Sequence, residues 1–136
     1  MNKTITDMNF LVSDPSDNAQ VVYSARQMLA QMGFDETRQY LLATAVSELS
    51  TNIIRYAKKG EITLRLCKDG EKNGFEVIAQ DQGPGIENIS NALKENESTG
   101  GGLGLGLPSV KRIMDEFVIQ SSPGKGTRIM VKKWID

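Results

Sequence analysis

The sequence predicts an α+β fold, a two-layer sandwich with helices on one face of a mainly antiparallel mixed sheet. Three observations predict it. Two long stretches near the start carry apolar residues at helical spacing between recognisable caps. Four later stretches alternate or run apolar between turns rich in Gly, Pro and Asn. The links between those later stretches are short, as antiparallel neighbours allow and parallel ones do not. The 136 residues suit one domain over 1–136 and are too few for two independent cores.

The elements follow in order. Ile5, Phe10 and Val12 mark an edge strand within the first dozen residues. Asp14-Pro15 then caps and opens a helix to about Met32, with Val21, Val22, Ala25, Met28, Leu29 and Met32 at helical spacing and Gly33 past its end. Asp35 caps a second helix expected to run to about Lys58, with Gly60 beyond it. Strands are expected at Ile62–Leu66 and Phe75–Ala79, joined through Asp69-Gly70 and Asn73-Gly74. A tight turn follows at Asp81-Gln-Gly-Pro-Gly-Ile86, then a short helix over about Glu87–Glu95. After a glycine run, Pro108 opens a helix to about Glu116. Strands near Phe117–Ser121 and Thr127–Trp134 close the chain around Ser122-Pro-Gly-Lys-Gly126.

Composition removes several function classes. A net charge of −1 argues against a partner held by bulk charge, such as duplex nucleic acid or an anionic membrane. No apolar run approaches a bilayer span, and the first ten residues lack a signal-peptide core, so a cytoplasmic location is expected. The absence of histidine excludes Ser-His-Asp and Cys-His nucleophile machinery and His-Cys zinc sites. The single cysteine, Cys67, reads as a small buried hydrophobe in a strand. Val22, Tyr23 and Trp134 would mark a docking surface if exposed, and core packing is the stronger reading for each.

Three clusters carry candidate chemistry. On the second helix, Leu42, Ala45, Val46, Leu49, Ile53 and Ala57 share one arc at about 100° per residue, with Asn52 inside it and Glu48 at its edge. Such a carboxylate and amide at i and i+4 can accept a proton and hold a hard cation such as Mg²⁺; the alternative is a solvated pair. Asp81 ends a strand, either as the head of an Asx turn or as an acceptor facing a ligand. Finally, five of the seven residues from Gly100 to Gly106 are glycine, directly ahead of the Pro108 helix. Exposed N–H groups at a helix start suit phosphate oxygens, and Leu103, Leu105 and Leu107 can anchor the loop. The run is neither a Gly-x4-Gly-Lys P-loop nor a Gly-x-Gly-x-x-Gly dinucleotide turn. A plain linker would not interleave leucines so regularly.

The order Glu48-x-x-x-Asn52, Asp81-x-Gly83-x-Gly85, Gly102-x-Gly104-x-Gly106, Gly126-Thr127 resembles the four boxes of the GHKL ATPase superfamily and its Bergerat fold, over nearly the whole chain. The phrases DQGPGI and GLGLPSVKRIMDEF and the terminal KW look most like RsbT-type switch serine kinases of bacterial stress signalling, with the RsbW and SpoIIAB anti-sigma kinases next. The resemblance implies a protein serine/threonine kinase using ATP and Mg²⁺. Its substrate would be a STAS-domain protein, with a phosphatase regulatory domain or a sigma factor as further partners. The alternative is a nucleotide-gated binding module that works mainly by contact.

The resemblance makes Glu48 the general base, Asn52 the Mg²⁺ ligand and Asp81 the acceptor of the adenine amino group. Gly83 and Gly85 would let adenine approach, Ile86 would border it and Thr127 would back Asp81. The lid would bring Thr99, Gly100, Gly101, Gly102, Leu103, Gly104 and Gly106 to the phosphates. Arg55, Lys111 and Arg112 are open between phosphate contact and a solvated surface. With no histidine to accept phosphate, the chain is no complete histidine kinase.

Overall fold

A computed structural model describes residues 7–86, 93 and 106–135. Five strands form one sheet in the order β1-β2-β3-β5-β4: β1 Asp7–Val12, β2 Gly60–Asp69, β3 Lys72–Asp81, β4 Glu116–Ser121 and β5 Thr127–Ile135. Every pairing among the described strands is antiparallel, so no mixed pairing is seen among them. The helices are α1 Pro15–Met32, α2 Glu36–Asn52 and a short α3 Leu107–Ile113. The helix expected near Glu87–Glu95 lies outside the described residues, Leu93 excepted.

Local signals act as the sequence implies. The Asp14 side chain accepts the Ser16 and Asp17 N–H groups while Asp17 reaches back to the Asp14 N–H, a reciprocal capping box. Gly33 ends α1 at φ +99, where a residue with a Cβ would be strained. Asp35 caps α2 through Arg38 N–H at 2.8 Å.

Two helix ends differ from expectation. α2 leaves regular geometry after Asn52 and continues as a π-helical turn, Ile53–Ala57, before Lys58 breaks it at φ +76. Continuous apolar spacing through Ile53 and Ala57 conceals this, because the extra residue per turn serves packing against the sheet end. α3 stops at Ile113 rather than Glu116: Met114 is already extended, and Glu116 begins β4.

The core lies between sheet and helices. Val21, Ala25 and Leu29 of α1 meet Leu42, Val46 and Leu49 of α2 over Ile62, Leu64, Phe75, Val77 and Val131 of the sheet, and Leu107 and Val110 of α3 complete it. Burial of this apolar area is the main driving force for the fold.

The outer sheet face carries a charged row beside an apolar one that includes Ile78, Met130 and Val118. In register across all five strands stand Asp7, Arg65, Glu76, Lys132 and Glu116, alternating in sign. Arg65 pairs with Asp7 at 2.9 Å and Glu76 at 3.4 Å, and Lys132 with Glu116 at 3.9 Å. Cross-strand opposites of this kind favour the observed register.

Trp134 lies half-buried on this face, its indole N–H donating to Glu116 at 2.9 Å, and Val22 is half-buried. Tyr23 is 63% exposed, so the expected core packing fails there: its place on α1 faces away from both α2 and the sheet. Cys67 is half-buried rather than fully buried, and partial burial pushes its thiol above the ordinary range, away from the reactive thiolate.

Candidate functional site

The candidate residues gather where the end of α2, the end of β3, the β4–β5 turn and the head of α3 meet. α2 sends Leu42, Val46 and Leu49 into the core, with Ile53 just beyond its end, and so fixes its own rotation. That rotation leaves Glu48 and Asn52 half-buried, one helical turn apart, at the margin of the packed face. The solvated-pair alternative therefore does not describe them.

Glu48 meets the glycine run directly. Gly106 adopts φ +70 as the residue before α3, and a Cβ there would overlap the Glu48 carboxylate. Leu107, the anchoring leucine that is described, is buried. Thr99, Gly100, Gly101, Gly102, Leu103 and Gly104 lie outside the described residues.

Asp81 closes β3, and its Oδ1 accepts the Gly83 N–H at 2.8 Å, forming the Asx turn. The Asx-turn reading of Asp81 holds, and the turn occupies one carboxylate oxygen and leaves the other outside that bond. A cleft of about 280 Å³ beside Asp81 and Thr127 is also lined by Gln80, Gln120, Lys125 and Arg128, and neither Glu48 nor Asn52 lines it.

The structure supplies a reason for Gly83 and Gly85 different from ligand approach. A Cβ on Gly83 would stand 2.6 Å from the Ala57 Cβ, and one on Gly85 would collide with the Ser122 carbonyl. Protein atoms already fill the sides where those β-carbons would project. Gly126 is constrained likewise, against the Asp81 carbonyl.

Thr127 sits beside Asp81 in the β3–β5 register, but its hydroxyl is bonded to Ser121 Oγ at 2.8 Å. Ser121 was not expected to matter. Its Oγ accepts the Ile86 N–H at 2.8 Å and lies 3.0 Å from the Gly126 carbonyl, tying the Asp81–Ile86 turn to the β4–β5 hairpin. The only sequence signal was a small hydroxyl at a strand end.

The three open cations sit on the surface. Arg55 lies over the Tyr56 ring at 5.8 Å, Arg112 contacts Ser109 Oγ at 3.3 Å, and Lys111 is exposed. These positions fit solvated roles for the described geometry.

The donor set suits Mg²⁺. Among the described residues no group of three or more His, Cys, Asp or Glu is arranged to hold a metal by itself. Glu48 and Asn52 supply hard oxygen atoms one turn apart. Mg²⁺ commonly takes one or two such protein ligands and fills its shell with water and phosphate oxygens.

A helical pair and a carboxylate-headed turn on an antiparallel sheet, with a glycine-capped helix beside them, match the arrangement expected of a histidine kinase-like ATPase domain. The family model for the histidine kinase-like ATPase domain matches residues 11–133, and the chain belongs to that family.

Its relatives narrow the class. It is 46% identical over 110 residues to the serine/threonine-protein kinase RsbT of Bacillus subtilis (strain 168), covering 81% of this chain and 83% of that one. It is 33% identical over 140 residues to the anti-sigma F factor of Thermoanaerobacter sp. (strain X514), covering 95% and 92%. Among solved structures, the RsbU and RsbW domains of a Mycobacterium tuberculosis protein superpose with TM-score 0.61 at 18% identity, over 98% of this chain and 34% of that one. The catalytic domain of the histidine kinase ThkA gives 0.53 at 15%, over 96% and 95%. At those identities the structures establish the fold alone.

Proposed function

We propose that this chain is a switch kinase that transfers the γ-phosphoryl group of ATP to a serine or threonine of a STAS-domain protein, of stressosome or anti-anti-sigma type. It would act in the cytoplasm and exchange partners, a sigma factor or a phosphatase regulatory domain among them, in bacterial stress or sigma-factor signalling. The kinase class is supported by the 46% identity to a serine/threonine-protein kinase. The observation that carries the chemistry is the half-buried Glu48 carboxylate lying against Gly106, at the start of the helix that follows the glycine run.

Asp81 binds the adenine amino group through the oxygen its turn leaves available. Asn52 would hold the metal, and Mg²⁺ there would neutralise charge on the phosphate oxygens. The attacking hydroxyl gives its proton to Glu48, and its oxygen bonds the γ-phosphorus. The bond from that phosphorus to the β-bridging oxygen breaks, and ADP leaves. Little covalent help is needed, so positioning carries most of the rate.

No helix among the described residues is long and apolar enough to cross a membrane. A second reading, a nucleotide-gated binding module, is favoured by the likeness to an anti-sigma factor over 95% of the chain. Glu48→Gln separates the two. The kinase reading expects phosphorylation of a STAS-domain partner to fall by roughly 10³-fold, with ATP-analogue affinity held within about 3-fold. Undiminished phosphate transfer in that variant refutes the assignment of Glu48. Loss of transfer with partner regulation intact favours the binding module.

A further inference from the structure

Gly106 stands at a point where conformation disfavours a side chain and a Cβ would displace a neighbouring carboxylate. Its φ of +70 and ψ of 4 lie in the left-handed region, which residues with a Cβ enter at a cost. A Cβ built there would overlap Glu48 Oε1, stand 2.6 Å from its Cδ and 3.3 Å from its Cγ. The carboxylate therefore lies against the bare α-carbon through Oε1. The two helices that carry the contact are both anchored. The Gly106 carbonyl accepts the Val110 N–H at 3.2 Å, and Leu107 and Val110 are anchored in the core. Glu48 itself rises from a helix whose Leu49 and Val46 are buried.

What else holds the carboxylate is equally informative. Among the described residues, Glu48 makes no hydrogen bond and no ion pair. A half-buried carboxylate is ordinarily oriented by donors. Here packing against a glycine takes that place, and both oxygens keep their acceptor capacity. That arrangement suits a group that must receive a proton from an incoming hydroxyl, because no bond within the protein has to break first.

We infer that Gly106 is a positioning residue for Glu48, setting the direction of the carboxylate by steric support. This rests on the reading of Glu48 as the base. It gives the last glycine of the run a task different from phosphate contact. Gly106 acts on the rate of phosphoryl transfer through Glu48, and nucleotide affinity is largely independent of it.

The test is a double-mutant cycle on the full chain, reading ATP turnover and binding of a non-hydrolysable ATP analogue with Mg²⁺. Gly106→Ala introduces the Cβ. Gly106→Asn does so with a residue that tolerates the left-handed region, so a folded variant is available if alanine destabilises the hinge. The expected result is a kcat about 10²-fold lower with KM and analogue affinity within about 3-fold, the size of effect an ångström-scale misplacement produces. In a Glu48→Gln background the same substitution should lower turnover no further, since the group it acts through is gone.

Three results overturn the inference. One is unchanged kcat in the folded Asn variant. Another is a parallel loss of analogue affinity, which would place Gly106 at the nucleotide. The third is an equal fold-loss in the Glu48→Gln background. If Glu48→Gln alone turns over ATP at the wild-type rate, the base assignment itself falls and the inference falls with it. A dead Glu48→Gln beside a fully active Gly106→Asn removes only the inference.

Discussion

Asp81→Asn is the most discriminating single change at the nucleotide end, because the turn dictates how the new amide must sit. Asp81 Oδ1 accepts the Gly83 N–H at 2.8 Å. An asparagine can keep that bond only by placing its carbonyl oxygen at the Oδ1 position. Its NH₂ group then occupies the place of the second carboxylate oxygen, the one that the proposed function gives to adenine. On that proposal a charged acceptor is replaced by a donor that faces the adenine amino group. Losing a hydrogen bond to a charged group costs about 1.5–3 kcal/mol, and a donor left facing a donor adds about 1 kcal/mol or more. A total near 3 kcal/mol corresponds to a Kd raised about 100-fold. The fold should hardly notice: the turn bond persists, and unfolding free energy should stay within about 0.5 kcal/mol. Asp81→Ala loses both, so it should also lower Tm by about 4 °C. Calorimetric titration with a non-hydrolysable ATP analogue, beside thermal unfolding of each variant, measures both quantities. If the Asn variant binds within about 3-fold of wild type at unchanged stability, the carboxylate does not face the base.

Two further expectations concern stability. Gly124 and Gly126 have nearly equal φ, +78 and +79, yet a Cβ meets nothing within 4 Å at Gly124 and the Asp81 carbonyl at Gly126. Gly124→Ala should cost only the conformational term, about 1–2 kcal/mol, whereas Gly126→Ala should cost at least about 1 kcal/mol more and weaken nucleotide binding by shifting Asp81; equal melting temperatures would contradict this. Asp14 has its carboxyl held below the ordinary range, first by the Ser16 hydroxyl and then by the Asp17 and Ser16 N–H groups. A lowered folded pKa means that its stabilisation is present above the unfolded Asp pKa, about 3.9, and is lost as pH falls through the folded value. Asp14→Asn keeps a cap that does not titrate, so urea unfolding from neutral to acid pH should show a smaller acid loss than wild type; identical pH profiles would refute the linkage.

The fold was readable where its signals are local. Asp14-Pro15, Gly33 and Asp35 bound their helices through bonds within a few residues, and apolar spacing places α1 and the body of α2 up to Asn52. The π-helical turn after Asn52 was not readable, because a shift from α to π preserves the apolar character of Ile53 and Ala57 while changing where they point. The end of α3 was misplaced for a related reason. Asp115-Glu116 continues a helix-compatible composition, but Glu116 stands opposite Lys132 in the sheet and joins the charge ladder there. Pairing with a strand far along the chain overrode local propensity.

The glycines show the same limit at the site itself. Their presence marked the nucleotide-binding class correctly, since four ordered boxes are a sequence property. Their individual tasks were not legible, because each is defined by a neighbour distant in sequence. Gly83 faces Ala57, Gly85 faces Ser122, Gly126 faces Asp81 and Gly106 faces Glu48. The first three contacts bring the π-helical turn, the β3 turn and the β4–β5 hairpin to close backbone separation, and Ser121 adds hydrogen bonds between the β3 turn and the hairpin. Close approach of backbones leaves little room to adjust. It follows that a substitution in this junction should alter more than one site group at once, as Gly126→Ala should alter Asp81. Gly106 is the exception to look for: its neighbour is the flexible end of a glutamate rather than backbone, so the effect of a Cβ there should stay confined to the carboxylate it displaces.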